Sequence, residues 1–217
     1  MINFPDPVGL IGLIVVFGIA PFVALMTTSY TKLVIVFGLL RAALGLQQTP
    51  PNLVINGISI ILSVYIMAPV GMDIADALKY RNFNTRPGVS DMFTVFNVAN
   101  KPVKEFLSKH TMERERQFFL KSATAIWPKH RAETLQADDL MVLVPSFALS
   151  ELTRAFQIGF VIYLMFIVVD LFVATVLLAL GMSMISPTTI SLPFKLLLFV
   201  SLDGWSRLVH SLVLSYR

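Results

Sequence analysis

PSFALSELTRAFQIGFVIYLMFIVVDLFVATVLLALGMSMISPTTISLPFKLLLFVSLDGW, residues 145–205, decides how the rest of the chain is read. A polar cluster, Ser150, Glu151, Arg154 and Gln157, leads straight into residues 158–185, an apolar run with one charge, Asp170. As a single helix rising ~1.5 Å per residue, that run would be roughly 42 Å long. A bilayer core is only ~30 Å thick, so the run must tilt, break or sit in a protein environment. A compact break follows at 181–187 (GMSMISP), and a second apolar segment, 191–200, carries Pro193 and Lys195. Asp203-Gly204-Trp205 separates it from a last apolar stretch at 208–214. A charge at membrane depth is expensive, so Asp170 marks function or assembly.

Composition supports the same reading. Apolar residues make up 56% of the 217, charged residues 14%, and mean hydropathy is +0.76. A soluble domain carries about 25% charged residues, so this is an integral membrane protein. The net charge of +4 comes from scattered basic residues without interleaved aromatics, which points away from nucleic acid. With no cysteine, disulfides, thiolate metal sites and cysteine nucleophiles are excluded.

Residues 8–26 are free of charge and long enough to span, with Pro21 inside. No basic residue precedes them and no A-x-A pattern follows, so a retained helix is expected rather than a cleaved signal peptide. Residues 33–45 form a short apolar segment flanked by Lys32 and Arg41, and QQTPPN at 47–52 breaks it. Residues 53–71 are again uncharged, and Asn56, Ser59 and Ser63 suit either helix–helix contact or an ordinary span. Residues 73–139 then hold 11 of the 17 Lys and Arg and 9 of the 13 acids, which marks a water-exposed insert. Within it one amphipathic helix is expected over 103–126, ended by Trp127-Pro128, with a second short helix through Asp138-Asp139. Pro145 is expected to interrupt 141–149. The division expected is therefore 1–72, 73–139 and 140–217. Lys32 and Arg41 favour the cytoplasm for the 27–52 connection, which places the insert on the periplasmic side.

No catalytic constellation is present, and His110, His130 and His210 lack metal-ligand spacing, so no enzyme, metal or cofactor is expected. Glu151, Arg154, Asp170, Lys195 and Asp203 are read as buried charges with two competing roles. Asp170 is either the proton or cation site of a secondary transporter or ion-conducting protein, or a member of pairs joining helices or subunits. Met182 and Met184, flanking Ser183, are either core filler or a deformable constriction in a conduit.

Ordered blocks along both apolar halves resemble one family: VFGLLR with ALG at 36–45, PPN at 50–52, MAPVG at 67–71, residues 145–159, VDL at 169–171, ALGM at 179–182, PFK at 193–195 and DGW at 203–205. The chain resembles the inner-membrane export-apparatus subunit of type III secretion, called FliP in flagella and SctR or YscR in injectisomes. Ser150–Phe156 and the absence of a leader favour the injectisome branch. The resemblance implies an all-α membrane protein of Pro-interrupted hairpins with a charged insert, five copies of which close into a helical cone. It implies partners: the SctS/FliQ-like and SctT/FliR-like subunits, the SctU/FlhB-like switch protein, unfolded secretion substrates and membrane lipid. It also implies that the spans sit largely out of the bilayer plane. Met182, Ser183 and Met184 map onto the gasket that seals the channel, and Glu151 and Lys195 onto positions suited to pairing between neighbouring subunits. Three residues depart from the pattern. Ser183 interrupts what is often a methionine triplet, Ala42 replaces a common Asn, and Met165 stands where a proline often lies.

Overall fold

The computed structural model describes residues 7–79 and 89–217. Among the described residues every regular element is helical: α1 (Pro7–Met26), α2 (Tyr30–Ala43), α3 (Asn52–Lys79), α4 (Val89–His110), α5 (Glu113–Ile126), α6 (Lys129–Ala132), α7 (Leu140–Ala179), α8 (Pro187–Ser201) and α9 (Gly204–Leu214). The chain is an all-α membrane-type protein. α3 and α7 are each long and apolar enough to cross a membrane. Gly18–Met26 with Tyr30–Ala43, and α8 with α9, meet that criterion only as pairs, the second bent by 60°.

Two expectations about helix ends are corrected. Pro145 does not interrupt 141–149, because it lies early in α7 and removes only one N–H from a 40-residue ladder. The overlong run is instead shortened at its far end. α7 stops at Ala179, leaving 158–179 helical, roughly 33 Å at ~1.5 Å per residue, which fits a ~30 Å core.

The helices divide into two units that interleave in sequence, 1–29 with 67–151 and 30–66 with 152–217.

In the first unit, the single helix expected over 103–126 is two helices. Thr111 Oγ1 donates back to Leu107 O (2.7 Å), and the freed Met112 N–H donates to Ser150 Oγ on α7 (2.9 Å). Phe106 of α4 lies 5.7 Å from Phe147 of α7, with Leu107, Leu143 and Phe147 fully buried. Arg116 on α5 bonds Ser108 Oγ (3.2 Å) and forms an ion pair with Glu113. The short helix expected through Asp138-Asp139 is confined to α6, Lys129–Ala132, and does not reach those acids. Asp139 instead starts α7, its carbonyl accepting from Val142 and Leu143 N–H (2.8 Å each), while Lys104 sits 3.7 Å from its carboxylate.

In the second unit, α2 buries Leu33, Val36, Phe37, Leu40 and Ala43, a three-four spacing that puts one apolar stripe inward. α3 does the reverse. Its inward positions are Ile55, Ser59 and Ser63, four apart, while Ile58, Ile61, Val64 and Tyr65 face out. Small groups inside and aliphatic groups outside suit close helix contact in an apolar solvent. Ser59 satisfies its hydroxyl on Ile55 O (2.8 Å). Close approach of α2 and α7 is set by Gly159, where a Cβ would stand 2.2 Å from Leu39 Cδ1.

Candidate functional site

The site lies at the two ends of the α7–α8 connection, all in the second unit. α7 ends in a Schellman turn. Gly181 has φ +74°, Met182 N–H donates to Leu177 O (2.9 Å) and Gly181 N–H to Leu178 O (3.0 Å). The left-handed conformation strains any L side chain, which is why glycine stands there. The chain then crosses 182–186 without regular structure, and Pro187 opens α8 with its preset φ. Met184 is 98% exposed and Met182 46%. Two flexible apolar side chains are thus held out on a loop that runs from the Gly181 turn to the Pro187 start of α8.

Below the loop, Asp170 and Lys195 tie α7 to α8. Lys195 Nζ is 2.6 Å from Asp170 Oδ2, with the lysine side chain 4% and the aspartate side chain 25% exposed. Ser191 donates to the other carboxylate oxygen. Ser191, Lys195 and Phe199 are the buried positions of α8, one turn apart, so a single face carries hydroxyl, cation and ring in order. Lys195 Nζ also donates to Ala43 O (3.2 Å), the last carbonyl of α2. The other three terminal carbonyls of α2 are taken by Leu44, Gly45 and Leu46 N–H (3.0, 3.0 and 3.1 Å). Lys195 therefore completes that helix end, where a cation is also favoured by the helix dipole.

The Asp203-Gly204-Trp205 block has a steric explanation. Asp203 turns the chain in the left-handed region at φ 52°. Gly204 follows because a Cβ there would meet the Phe199 ring at 2.3 Å. Trp205 then packs 5.5 Å from Phe199 and 6.1 Å from Phe37.

The structure brings together Asp170 and Lys195 among the expected charges. Lys195 uses its charge on Asp170 and on Ala43 O of the same chain. Glu151 is fully buried on α7, and Arg154 is half-buried and engaged within the chain. Asp203, grouped with the buried charges from sequence, is exposed; its contribution is the turn. Ser191 and the Ala43 carbonyl were not foreseen. The spacing of Ser191 from Lys195, one helical turn, is the signal that would have found the first.

Residues 13–212 match the model of the FliP family. The chain belongs to the FliP family. It is 52% identical over 208 residues to a "Pathogenicity-related ORF2" of Xanthomonas campestris pv. glycines, covering 96% of both chains. It is 50% identical over 210 residues to a "Hypersensitivity response secretion protein HrcR" of Ralstonia nicotianae, again 96% of both. It is 49% identical over 216 residues to a "Yop proteins translocation protein R" of Yersinia pestis, covering 100% of this chain and 99% of that one. Proteins of the FliP family are components of the type III secretion export apparatus, and the injectisome-type names at about 50% identity place this member on that branch.

Proposed function

We propose that this FliP-family chain is a core subunit of the export gate, the channel by which unfolded secreted proteins enter the apparatus across the bacterial inner membrane. Several copies, five in this reading, close around an axis together with the SctS/FliQ-like, SctT/FliR-like and SctU/FlhB-like subunits. The gasket is the loop at 182–184: Met182, Ser183 and Met184 converge from neighbouring copies and seal the channel at rest. The observation that carries this is the loop itself. Its ends are locked by the Gly181 turn and the Pro187 start, and its exposed tip is a methionine that contributes nothing to its own chain's core. Unbranched thioether side chains pack tightly yet move aside for an irregular polypeptide. No catalytic step is part of this role.

The charges have a different task. Asp170 and Lys195 hold α7, α8 and the end of α2 as one block, so the loop has a fixed base. That pairing weighs against the carrier reading, in which Asp170 binds the transported cation, because the carboxylate already has one.

The absence of cysteine allows a direct test. Met184→Cys places the chain's sole thiol on the loop. In the assembled complex, mild oxidation is expected to give disulfide-linked chain dimers, since copies converging on an axis bring thiols into bonding range. An assembly of normal mass that yields only monomers, with both an oxidant and a short thiol cross-linker, contradicts convergence of the loops.

A further inference from the structure

The second unit contains an open cleft of about 260 Å³ lined by α2, α7 and the α8–α9 turn. Leu40, Ile162, Phe166, Phe199 and Leu208 give it apolar walls, and the only polar side chains lining it are Arg207 and Ser211. These two are one turn apart on α9, so they share a face. Arg207 is exposed, and among the described residues its guanidinium has no hydrogen bond or ion pair. Asp203, four residues earlier, meets it only through the backbone, with Arg207 N–H donating to Asp203 O (3.1 Å). Beside the cleft, α8 turns Phe194, Leu197 and Val200 outward.

An apolar interior, a cationic lip and an apolar outer surface next to it match one kind of molecule. The volume equals that of roughly nine waters at ~30 Å³ each. A helix with side chains, ~10 Å across, is too wide to enter. A slender hydrocarbon tail enters, and an unpaired guanidinium at the mouth is a strong donor to phosphate oxygens. Basic pockets between membrane helices bind anionic headgroups by this logic.

We infer that this cleft is a binding site for an anionic phospholipid, with part of one acyl chain among Leu40, Ile162, Phe166 and Leu208 and the phosphate on Arg207, assisted by Ser211. The lipid fills the space left between α7 and the bent α8–α9 pair, a place where bending alone cannot close the packing. The proposal stands apart from the gate reading. Lipid retention is measured on the chain in detergent, with no channel formed, so either reading can fail without the other.

The test is native mass spectrometry of the full chain in detergent, supplied with phosphatidylglycerol or phosphatidylethanolamine at equal concentration. One phosphatidylglycerol per chain is expected, retained more tightly than phosphatidylethanolamine. Arg207→Gln should weaken phosphatidylglycerol about tenfold, the worth of one charge-assisted contact, whereas Arg207→Lys keeps most of it. Met165→Trp, a substitution at a half-exposed wall position that fills the cleft, should weaken both lipids. Equal retention of the two lipids together with no effect of Arg207→Gln overturns the site. So does undiminished binding in Met165→Trp, or loss of the lipid when the partner subunits are added, which would mean that protein fills the cleft.

Discussion

α2 and α7 end in the same way and are then used in opposite ways. Each closes with a Schellman turn about a glycine at positive φ, Gly45 at +80° and Gly181 at +74°. Around Gly45 the neighbouring groups are engaged. Leu44 is buried, Lys195 takes the last carbonyl, and Arg41 Nη1 bonds Pro50 O (3.1 Å) and Asn52 Oδ1 (2.7 Å) across the following turn. A Cβ at Gly45 would already touch Leu192 at 3.5 Å, whereas nothing stands within 4 Å of one at Gly181. The same backbone device is thus a closed corner in one place and an open mount in the other. The lesson is that the cap fixes direction, and the side chains beyond it decide whether the turn becomes core or surface.

Breaking the closed corner should cost most. Lys195→Met leaves Asp170 without its cation and Ala43 without its donor. Losing one partner of a buried pair costs about 3–5 kcal/mol, and the quarter exposure of Asp170 points to the lower end, about 3 kcal/mol, read by denaturation in detergent. Adding Asp170→Leu should recover most of that. A Lys195→Met chain of wild-type stability would mean that the pair does not hold the corner.

Next in size is the crowding that builds the corner. Gly159→Ala drives a methyl into Leu39, and overpacking of this kind costs about 1–3 kcal/mol. Gly204→Ala meets the Phe199 ring and belongs in the same range. Thermal unfolding of both should show losses, and the Gly159 variant should also loosen α2 against α7 in hydrogen exchange.

The two glycine caps sharpen the comparison itself. Gly45→Ala and Gly181→Ala share a left-handed backbone cost of about 1 kcal/mol. Equal destabilisation is expected on that ground, because the 3.5 Å contact that a Cβ at Gly45 would make with Leu192 is an ordinary one. An excess at Gly181 would mean that the methionine loop is not the open side. The smallest effect belongs to the first unit. Glu113 is held below its usual carboxylate range, first by the hydrogen bond from Gln117 and then by Arg116. A lowered folded pKa contributes stability above the unfolded pKa and loses it as pH falls through the folded one. Exchange at the start of α5 should therefore rise only on acidification below the ordinary carboxylate range, and Glu113→Gln should remove that dependence.

Much of this was legible in the sequence. Charge-free runs located α1, α3 and α7, and the prolines with Gly181 located the α7–α8 break, because these signals are local. The register of Ser191 and Lys195 on one face was also present, but Asp170 as their common partner was not, since that needs two helices brought side by side. The Gly159–Leu39 and Gly204–Phe199 contacts were hidden for the same reason: a glycine's neighbour is a fact of packing. Pro145 and Asp203 misled because a proline near a helix start breaks little, and because an aspartate in an apolar region can serve through its backbone.

The open mount at 182–184 carries a seal in the proposed gate. Its most direct measurement is the resting leak of ions or small fluorescent solutes through the assembled complex carrying both Met182→Ala and Met184→Ala. With assembly and particle mass unchanged, a raised leak is expected; an unchanged leak in an intact double-variant assembly means that these methionines are not the seal.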